Sequence, residues 1–449
     1  MLRYIPTTIF LVISILLAAG CQPDNRQPAL LVNPFIGTGG HGHTYPGATQ
    51  PFGMVQLSPD TRVAGWDACS GYYYADSTLL GFSHTHLSGT GAADYGDILI
   101  TPQTHVHDTL PAAFSHHNEQ AHAGYYTVTL NNGIKAELTA TTRSGIHRYT
   151  FPDKQASIKI DLRHGIGPDH LIAATWQQTA DNEISGRRQS SGWAKDQVVY
   201  FVARFSTPFT IQRQDSTKAI LTFEDTSEPL IIKVALSAVS VDNARQNLTA
   251  EAPGWDFDSY VRQAENTWNK TLGVIEADFP TPQQDTIFYT ALYHSMLAPN
   301  IFNDVNGEYR GMDKQIHRTD HNYYTVFSLW DTFRATHPLY TILNPTADVD
   351  MINTMLLMYK QSGLLPVWEL AANETGTMIG YHAVPVLADA IAKDLGGFDY
   401  DLALQAMQAS AQQEHLGLHW YKKMGFVPAE KEHESVSKTL EYAYDDWCI

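Results

Sequence analysis

The feature that most constrains the fold of this chain is a change in hydrophobic periodicity near residue 250. Before that point, apolar residues alternate with polar ones, as at Ile134, Ala136 and Leu138, and a period of two predicts half-buried β-strands. After it, apolar residues recur at the spacing of an α-helix, as in residues 348–362. Strands followed by helices, in a chain of 449 residues, predict an α+β protein with two or three domains.

The first half of the chain predicts an antiparallel β-sandwich. Ile158 and Ile160 repeat the alternation, whereas residues 198–205 and 230–241 are more continuous apolar runs that suit buried strands. Turn sequences such as Asn131-Asn132-Gly133 separate these segments. Strands of this kind fit two antiparallel sheets of roughly 200 residues in total.

The second half predicts an all-α structure. In residues 284–297, Ile287, Ala291, Leu292 and Ser295 fall on one side of a helix. Gly363 is a suitable end for the helix over residues 348–362. We expect about six helices, at residues 264–272, 284–297, 348–362, 382–393, 401–415 and 437–448.

The last predicted helix ends at Ile449 without a glycine, a polar tail or a capping residue. Its Leu440, Tyr444 and Trp447 would form an apolar face with no later segment to cover it. We therefore expect the chain to be the N-terminal portion of a longer protein.

The N-terminus has the pattern of a targeting signal. An apolar run over residues 9–19 is short for a membrane span. The run leads into Leu17-Ala18-Ala19-Gly20-Cys21, which resembles a bacterial lipoprotein signal in which Cys21 becomes the lipidated first residue. A plain secretory signal with an incidental cysteine is the alternative. Because Gln22 rather than Asp follows Cys21, we expect the outer membrane of a bacterial cell envelope.

The charge balance limits the partners of this chain. There are 29 Lys and Arg residues against 47 Asp and Glu residues, a net charge of −18, which is the wrong sign for binding nucleic acid. Beyond Cys21 the sequence has only Cys69 and Cys448, so we expect no disulfide framework. The sequence also lacks the P-loop, G-x-S-x-G and C-x-x-C motifs, which does not support the chemistries those motifs carry.

Residues 65–97 carry an unusual density of Gly, Tyr, His and Asp. Trp66 beside Asp67 is a combination that suits a sugar, because an aromatic ring covers the apolar face of a sugar while a carboxylate binds its hydroxyl groups. A glycine-rich loop around a core tryptophan is the alternative.

His84 and His86 alternate on a predicted strand, which would direct both imidazoles to one face as a candidate metal pair. His41 and His43 have the same spacing. No third ligand follows at a recognisable distance, so sugar contacts or structural hydrogen bonds are the alternative to zinc.

Further segments combine aromatic residues with charged ones. Asp331 and Arg334 are three residues apart, where they would hold neighbouring sugar hydroxyl groups together, unless Asp331 only caps a helix. Glu374 and His382 lie in another such segment. A glycosidase needs one carboxyl group as acid and a second as base or nucleophile, and spacing here selects no pair. The available carboxyl groups are those of Glu369, Glu374, Asp445 and Asp446.

Six blocks of sequence point to a known family. They are residues 32–39 (VNPFIGTG), 65–67 (GWD), 81–89 (GFSHTHLSG), 329–334 (LWDTFR), 378–382 (MIGYH) and 437–449 (SKTLEYAYDDWCI). Together they resemble glycoside hydrolase family 92, from about Leu31 to the end of the chain. The resemblance implies a calcium-dependent, inverting exo-α-mannosidase whose partners are α-mannosides of N-glycans or mannans, often with α-1,2 linkages. It also implies an N-terminal β-sandwich followed by the first half of an (α/α)6 barrel.

By the same resemblance, Trp66 contacts mannose and Asp331 reaches the same pocket. The catalytic acid and base and most of the Ca2+ site are expected beyond Ile449. No residue of this chain is therefore assigned as acid or base, its metal ligands stay unknown, and we expect the chain alone to be inactive. The predicted substrate-binding residues are Trp66, Asp67, His86, Asp331, Arg334, Glu374 and His382.

The expected organisation has five parts. They are a lipoprotein signal over residues 1–21, a tether over 22–30, a β-sandwich domain over 31–250, a helical linker over 251–283 and a partial (α/α)6 catalytic domain over 284–449. The first functional hypothesis is an α-mannosidase held to the membrane by an N-terminal lipid. The alternatives are a non-catalytic mannoside-binding lipoprotein and an N-glycan-processing protein of the peptide-N-glycanase-related type.

Overall fold

The computed structural model describes residues 27–106, 111–153 and 156–449. The predicted signal with Cys21, and most of the tether over residues 22–30, lie outside the described residues. Among the helices that are described, none has both the length and the apolar content needed to cross a bilayer.

Strands dominate the first half of the described chain and form two antiparallel sheets. The strands are β1 Ala48–Thr49, β2 Gln56–Asp60, β3 Thr78–Leu79, β4 Gly81–Ser83, β5 Leu99–Gln103, β6 Ala112–His122, β7 Tyr125–Leu130, β8 Lys135–Ala140, β9 Ser144–Thr150, β10 Ala156–Asp161, β11 His170–Ala180, β12 Glu183–Ser191, β13 Gln197–Phe205, β14 Thr210–Gln214, β15 Lys218–Phe223 and β16 Leu230–Ser237. One sheet has the order β1-β2-β4-β5-β10-β15-β14, and the other has the order β11-β12-β13-β16-β9-β8-β7-β6-β3.

The two sheets pack against each other through one apolar core. Ile100 and Leu221 of the first sheet are fully buried in the same cluster as Leu138 and Ile232 of the second. Strand β8 supplies alternate residues to this core, as its period of two predicts. The predicted N-terminal β-sheet domain is therefore confirmed.

Helices dominate the second half of the described chain, with short strands between them. One short helix, α1 Pro28–Leu31, precedes the strands of the first half. The later helices are α2 Val241–Glu251, α3 Phe257–Leu272, α4 Pro282–His294, α5 Leu329–Thr332, α6 Thr336–Leu343, α7 Pro345–Ser362, α8 Ala383–Ala392, α9 Tyr400–Gln412, α10 Leu418–Met424 and α11 Ser435–Cys448. The short strands are β17 Asn300–Ile301, β18 Glu308–Arg310, β19 Ile316–Arg318, β20 Tyr324–Thr325, β21 Phe327–Ser328, β22 Trp368–Leu370 and β23 Asn373–Glu374. The prediction of an all-α second half is therefore wrong, because strands of two or three residues are too short to show an alternation.

Local capping decides where several elements begin and end. The side chain of Asn344 accepts a backbone hydrogen bond at the start of α7, and Gly363 ends this helix with a φ of +85°. The end predicted at Gly363 is therefore confirmed. The strand predicted over residues 230–241 stops earlier, at Ser237, because the Ser240 side chain caps the first turn of α2.

The inward face of α4 differs from the predicted one. Ile287 is exposed, whereas Tyr289, Leu292 and Tyr293 are buried. The two tyrosines are four residues apart and bury more apolar surface than isoleucine does, so they occupy the core-facing side.

The two halves of the chain are in direct contact. Trp268 of α3 is fully buried and donates its indole N–H to the carbonyl oxygen of Thr49 at 2.7 Å. Trp193, in the loop between β12 and β13, lies 4.3 Å from the ring of Trp368 on β22. These contacts bring loops of the sheet domain next to the hairpin formed by β22 and β23.

Candidate functional site

Trp66 lies on a short 3-10 helix, Trp66–Ala68, at the surface of the sheet domain. The side chain is 57% exposed and donates its indole N–H to the carbonyl oxygen of Gly91 at 3.1 Å. One ring edge is therefore fixed while the ring face stays accessible. This placement contradicts the core-tryptophan alternative and is compatible with stacking against a ligand.

Asp67, next to Trp66, lies between two histidines. Its Oδ1 atom is 2.7 Å from Nδ1 of His41 and 3.3 Å from Nε2 of His43. The hydrogen bond with His41 is the main cause that lowers the pKa of Asp67 below its ordinary value. The imidazole rings of His41 and His43 lie 4.7 and 4.8 Å from the indole of Trp66, so the four side chains form one cluster.

His86 lies in a buried network. Its Nε2 atom is 2.8 Å from Oδ1 of Asp60, whose Oδ2 atom is 2.7 Å from Nε2 of His164. Burial alone would raise the pKa of Asp60, but the two histidines hold it well below its usual range. The structure thus places His86, a predicted substrate-binding residue, beneath the surface among protein partners.

The predicted pairing of His84 with His86 on one face is wrong, because β4 ends at Ser83 and the strand alternation does not extend to either histidine. Nδ1 of His84 lies 2.7 Å from the carbonyl oxygen of Ile98, and Nε2 lies 3.0 Å from Nε2 of His147. Since a carbonyl only accepts, Nδ1 of His84 donates. Burial lowers the pKa of His84 to about 4, so this ring is neutral at pH 7.

Asp331 and Arg334 flank the end of α5, and both are exposed. Ser328 donates its hydroxyl hydrogen to Asp331, and Arg334 pairs with Glu441 of α11 at 3.3 Å. The two residues thus have separate partners. Asp331 is also the third residue of α5 and not its N-cap, which is Ser328. At this helix end, an exposed carboxylate that accepts hydrogen bonds and an exposed guanidinium that donates them are nevertheless suitable partners for hydroxyl groups.

His382 joins the same region from the start of α8. It stacks on Phe333 with ring centroids 4.0 Å apart, and its Nδ1 atom lies 2.7 Å from Oδ1 of Asp445. Its Nε2 atom lies 3.2 Å from Oε2 of Glu441. Burial raises the pKa of Asp445, although the hydrogen bond with His382 opposes that effect.

Glu441 was missed by the sequence-based prediction, although a signal was present. Glu441 and Asp445 are four residues apart on α11 and therefore share one helix face, which is the face that meets His382.

Glu374 and Glu369 face each other across the hairpin of β22 and β23. Glu374 accepts hydrogen bonds from the backbone N–H groups of Val367, Trp368 and Gly376, at 2.7–2.9 Å. Glu369 is fully buried, and burial raises its pKa to about 8. Both carboxyl groups are thus engaged by the protein itself.

Among the described residues, the ligand atoms of three potential metal-binding side chains lie within 4.8 Å of one another, and they belong to His41, His43 and Asp67. Calcium prefers six to eight oxygen ligands, whereas this cluster offers two imidazole nitrogens. The cluster does not fit the Ca2+ that the family resemblance implies.

Two family models match almost the whole described chain. Residues 31–237 match the glycosyl hydrolase family 92 N-terminal domain, and residues 243–449 match the glycosyl hydrolase family 92 catalytic domain. The boundary between the two matches falls between Ser237, where β16 ends, and Asn243 in the first turn of α2.

Solved structures and a curated protein agree with these matches. A family GH92 α-mannosidase from Bacteroides thetaiotaomicron is 40% identical with a TM-score of 0.89, over 94% of this chain and 62% of that chain. A family GH92 inverting mannosidase from the same organism is 31% identical with a TM-score of 0.86, over 95% of this chain and 62% of its own. An uncharacterized secreted glycosidase from Arthroderma benhamiae is 27% identical, over 93% of this chain and 58% of its own.

The chain thus spans about three fifths of the length of each of these relatives. The two consecutive family matches and the shared fold lead to one conclusion: the chain belongs to glycosyl hydrolase family 92.

Proposed function

We propose that this chain acts on α-mannosides as part of a glycoside hydrolase. The observation that carries the proposal is the 40% identity, at a TM-score of 0.89, with a family GH92 α-mannosidase. That α-mannosidase has also been solved in complex with mannoimidazole. The exposed face of Trp66 beside Asp67 provides a place where a sugar ring would stack while its hydroxyl groups find a carboxylate.

Inversion, exo-action, α-1,2 specificity and calcium dependence are part of this proposal and rest on the family resemblance. So does the assignment of α4 and the later helices to the first half of an (α/α)6 barrel. Membrane attachment through Cys21 rests on the sequence pattern, and the curated relative called secreted supports an extracytoplasmic location.

A non-catalytic mannoside-binding protein is the second candidate, and one observation favours it. Glu369, Glu374 and Asp445 each accept hydrogen bonds from protein donors. A catalytic acid or base must exchange a proton with the substrate or with water, and carboxyl groups held in this way are poor candidates for that role.

One experiment separates the two candidates. The purified protein, expressed with any residues that its coding DNA specifies after Ile449, is incubated with Ca2+ and α-1,2-mannobiose, and proton NMR follows the anomers of released mannose. Calorimetry with mannoimidazole measures binding in parallel. Early release of β-mannose supports the inverting hydrolase, whereas binding of mannoimidazole without release supports the binding protein. Absence of both binding and release would contradict both proposals.

A further inference from the structure

We propose that His41, His43 and Asp67 form a binding site for one divalent first-row transition-metal ion, for which Zn2+ is the best match. This site shares Asp67 with the proposed sugar contact, but its ligand set differs in chemistry from a calcium site, and its binding of Zn2+ is measured without hydrolysis. Two imidazole nitrogens and one carboxylate oxygen are a common ligand set for zinc, with a fourth position left for water or another ligand.

The first argument comes from the proton on His43. Nδ1 of His43 lies 2.8 Å from the carbonyl oxygen of Thr90. A carbonyl only accepts hydrogen bonds, so Nδ1 carries the proton and Nε2 of a neutral ring has a free lone pair. That lone pair faces Oδ1 of Asp67, itself an acceptor, at 3.3 Å. Two lone pairs that face each other are stabilised by a cation between them.

The second argument is the distance itself. A charge-assisted hydrogen bond between a protonated imidazole and a carboxylate is usually about 2.7–2.9 Å long. Ligand bonds of about 2.0–2.1 Å in tetrahedral geometry instead hold neighbouring ligand atoms about 3.3 Å apart. The separation of 3.3 Å between Nε2 of His43 and Oδ1 of Asp67 matches the distance between two ligand atoms of one tetrahedral ion.

The third argument concerns how each ligand is supported. The backbone of His43 is held by Gly89, whose N–H donates to the His43 carbonyl oxygen at 2.8 Å. The contact of its ring with Thr90 is the outer-shell hydrogen bond that metal-binding histidines usually make. His41, in contrast, has a side chain that is 67% exposed, so its ring is free to rotate from its hydrogen bond with Asp67 onto an ion.

The surroundings also favour a cation. The net charge of the chain is −18, which attracts cations to its surface. The nearby Arg62 is itself paired with Asp76, which it contacts through Nε at 2.7 Å. Trp66 packs on both imidazoles, so its fluorescence is expected to report binding of a quenching ion.

The test uses the purified full chain after treatment with a chelator. Calorimetry measures Zn2+ binding in the presence of excess Ca2+, and we expect one ion per chain. His41→Ala and Asp67→Asn each remove a direct ligand and should weaken binding by at least the roughly 10–100-fold that loss of an outer-shell partner costs. Both side chains lie at the surface, so circular dichroism should show an unchanged fold. The matched control is His433→Ala, which removes another exposed histidine and should leave Zn2+ affinity unchanged.

A second measurement locates the ion. Addition of Cu2+ should quench part of the tryptophan fluorescence, and this part should be absent in Trp66→Phe. Absence of Zn2+ binding would overturn the proposal, as would equal affinity in the His41, Asp67 and His433 variants. A Co2+ complex whose spectrum shows thiolate ligation would overturn it too, since it would place the ion on one of the three cysteines, Cys21, Cys69 or Cys448.

Discussion

Replacement of Glu369 by glutamine should change how the stability of this protein depends on pH. The carboxyl group is fully buried and contacts the Thr325 hydroxyl at 2.9 and 3.0 Å and the Val326 N–H at 3.2 Å. Burial disfavours the charged form and raises the pKa of Glu369 to about 8. The group is therefore protonated in the folded protein at neutral pH.

The expected size follows from proton linkage. Between its unfolded pKa of about 4.3 and its folded pKa, Glu369 keeps a proton in the folded state that it loses in the unfolded state. The stabilising effect is complete below the unfolded pKa and is lost as the pH rises to about 8. At about 1.36 kcal/mol per pKa unit, the total change is about 5 kcal/mol.

The assay is urea unfolding of the wild type and of Glu369→Gln at a series of pH values from 4.5 to 8.5. Glutamine keeps the shape of the side chain but does not titrate. Between pH 4.5 and pH 8.5, the free energy of unfolding of the wild type should therefore fall by about 5 kcal/mol more than that of the variant. Glu430→Gln removes an exposed carboxyl group and serves as the control that should follow the wild type. Parallel profiles for the wild type and Glu369→Gln would refute the reasoning.

Three further predictions concern binding, packing and location. Trp66→Ala should weaken mannoside binding by about 10–100-fold through loss of stacking, at about 1.4 kcal/mol per tenfold. Its unfolding curve should stay close to that of the wild type, because the ring is 57% exposed. Unchanged affinity in calorimetry would remove Trp66 from the site. Asp445→Asn should lower the free energy of unfolding by about 1–3 kcal/mol, because Asp445 accepts hydrogen bonds from the Tyr381 N–H and from His382. Equal urea midpoints for the wild type and the variant would contradict this prediction. Cys21→Ser should release the protein from the membrane fraction, and unchanged fractionation would contradict lipidation.

The fold was predictable where a pattern extends over many residues. The alternation in β8 and the helical spacing in α7 each repeat several times along the sequence, and the structure contains both elements. Short strands such as β22 have three residues, and their pairing is decided by tertiary contacts such as that of Trp368 with Trp193. Which side of α4 is buried likewise depends on tertiary packing, which places Tyr289 rather than Ile287 against the neighbouring core.

The site was less predictable, because residue spacing does not reveal hydrogen-bond partners. His84 and His86 are separated by a single residue, Thr85, yet their rings contact different kinds of group. His84 faces a carbonyl oxygen and another histidine, and burial lowers its pKa to about 4. His86 contacts the carboxylate of Asp60. The local sequence does not reveal this difference, since Ile98, His147 and Asp60 are all distant from the two histidines in sequence.

The contact between the two halves explains why candidate ligand-binding groups occur in both of them. Asp196, in the β12–β13 loop of the sheet domain, accepts a hydrogen bond from Arg310 through its carbonyl oxygen at 2.9 Å, and its own N–H donates to Asn373 at 3.1 Å. Asn373 begins β23, the strand that also contains Glu374. The loop therefore fixes the position of the β22–β23 hairpin through backbone atoms of Asp196, and the Asp196 carboxylate adds an ion pair with Arg310. A ligand that contacts the hairpin would thus meet a surface to which the sheet domain already contributes, and removing the Arg310 guanidinium would disturb that surface and leave the Asp196 carboxylate without this ion pair.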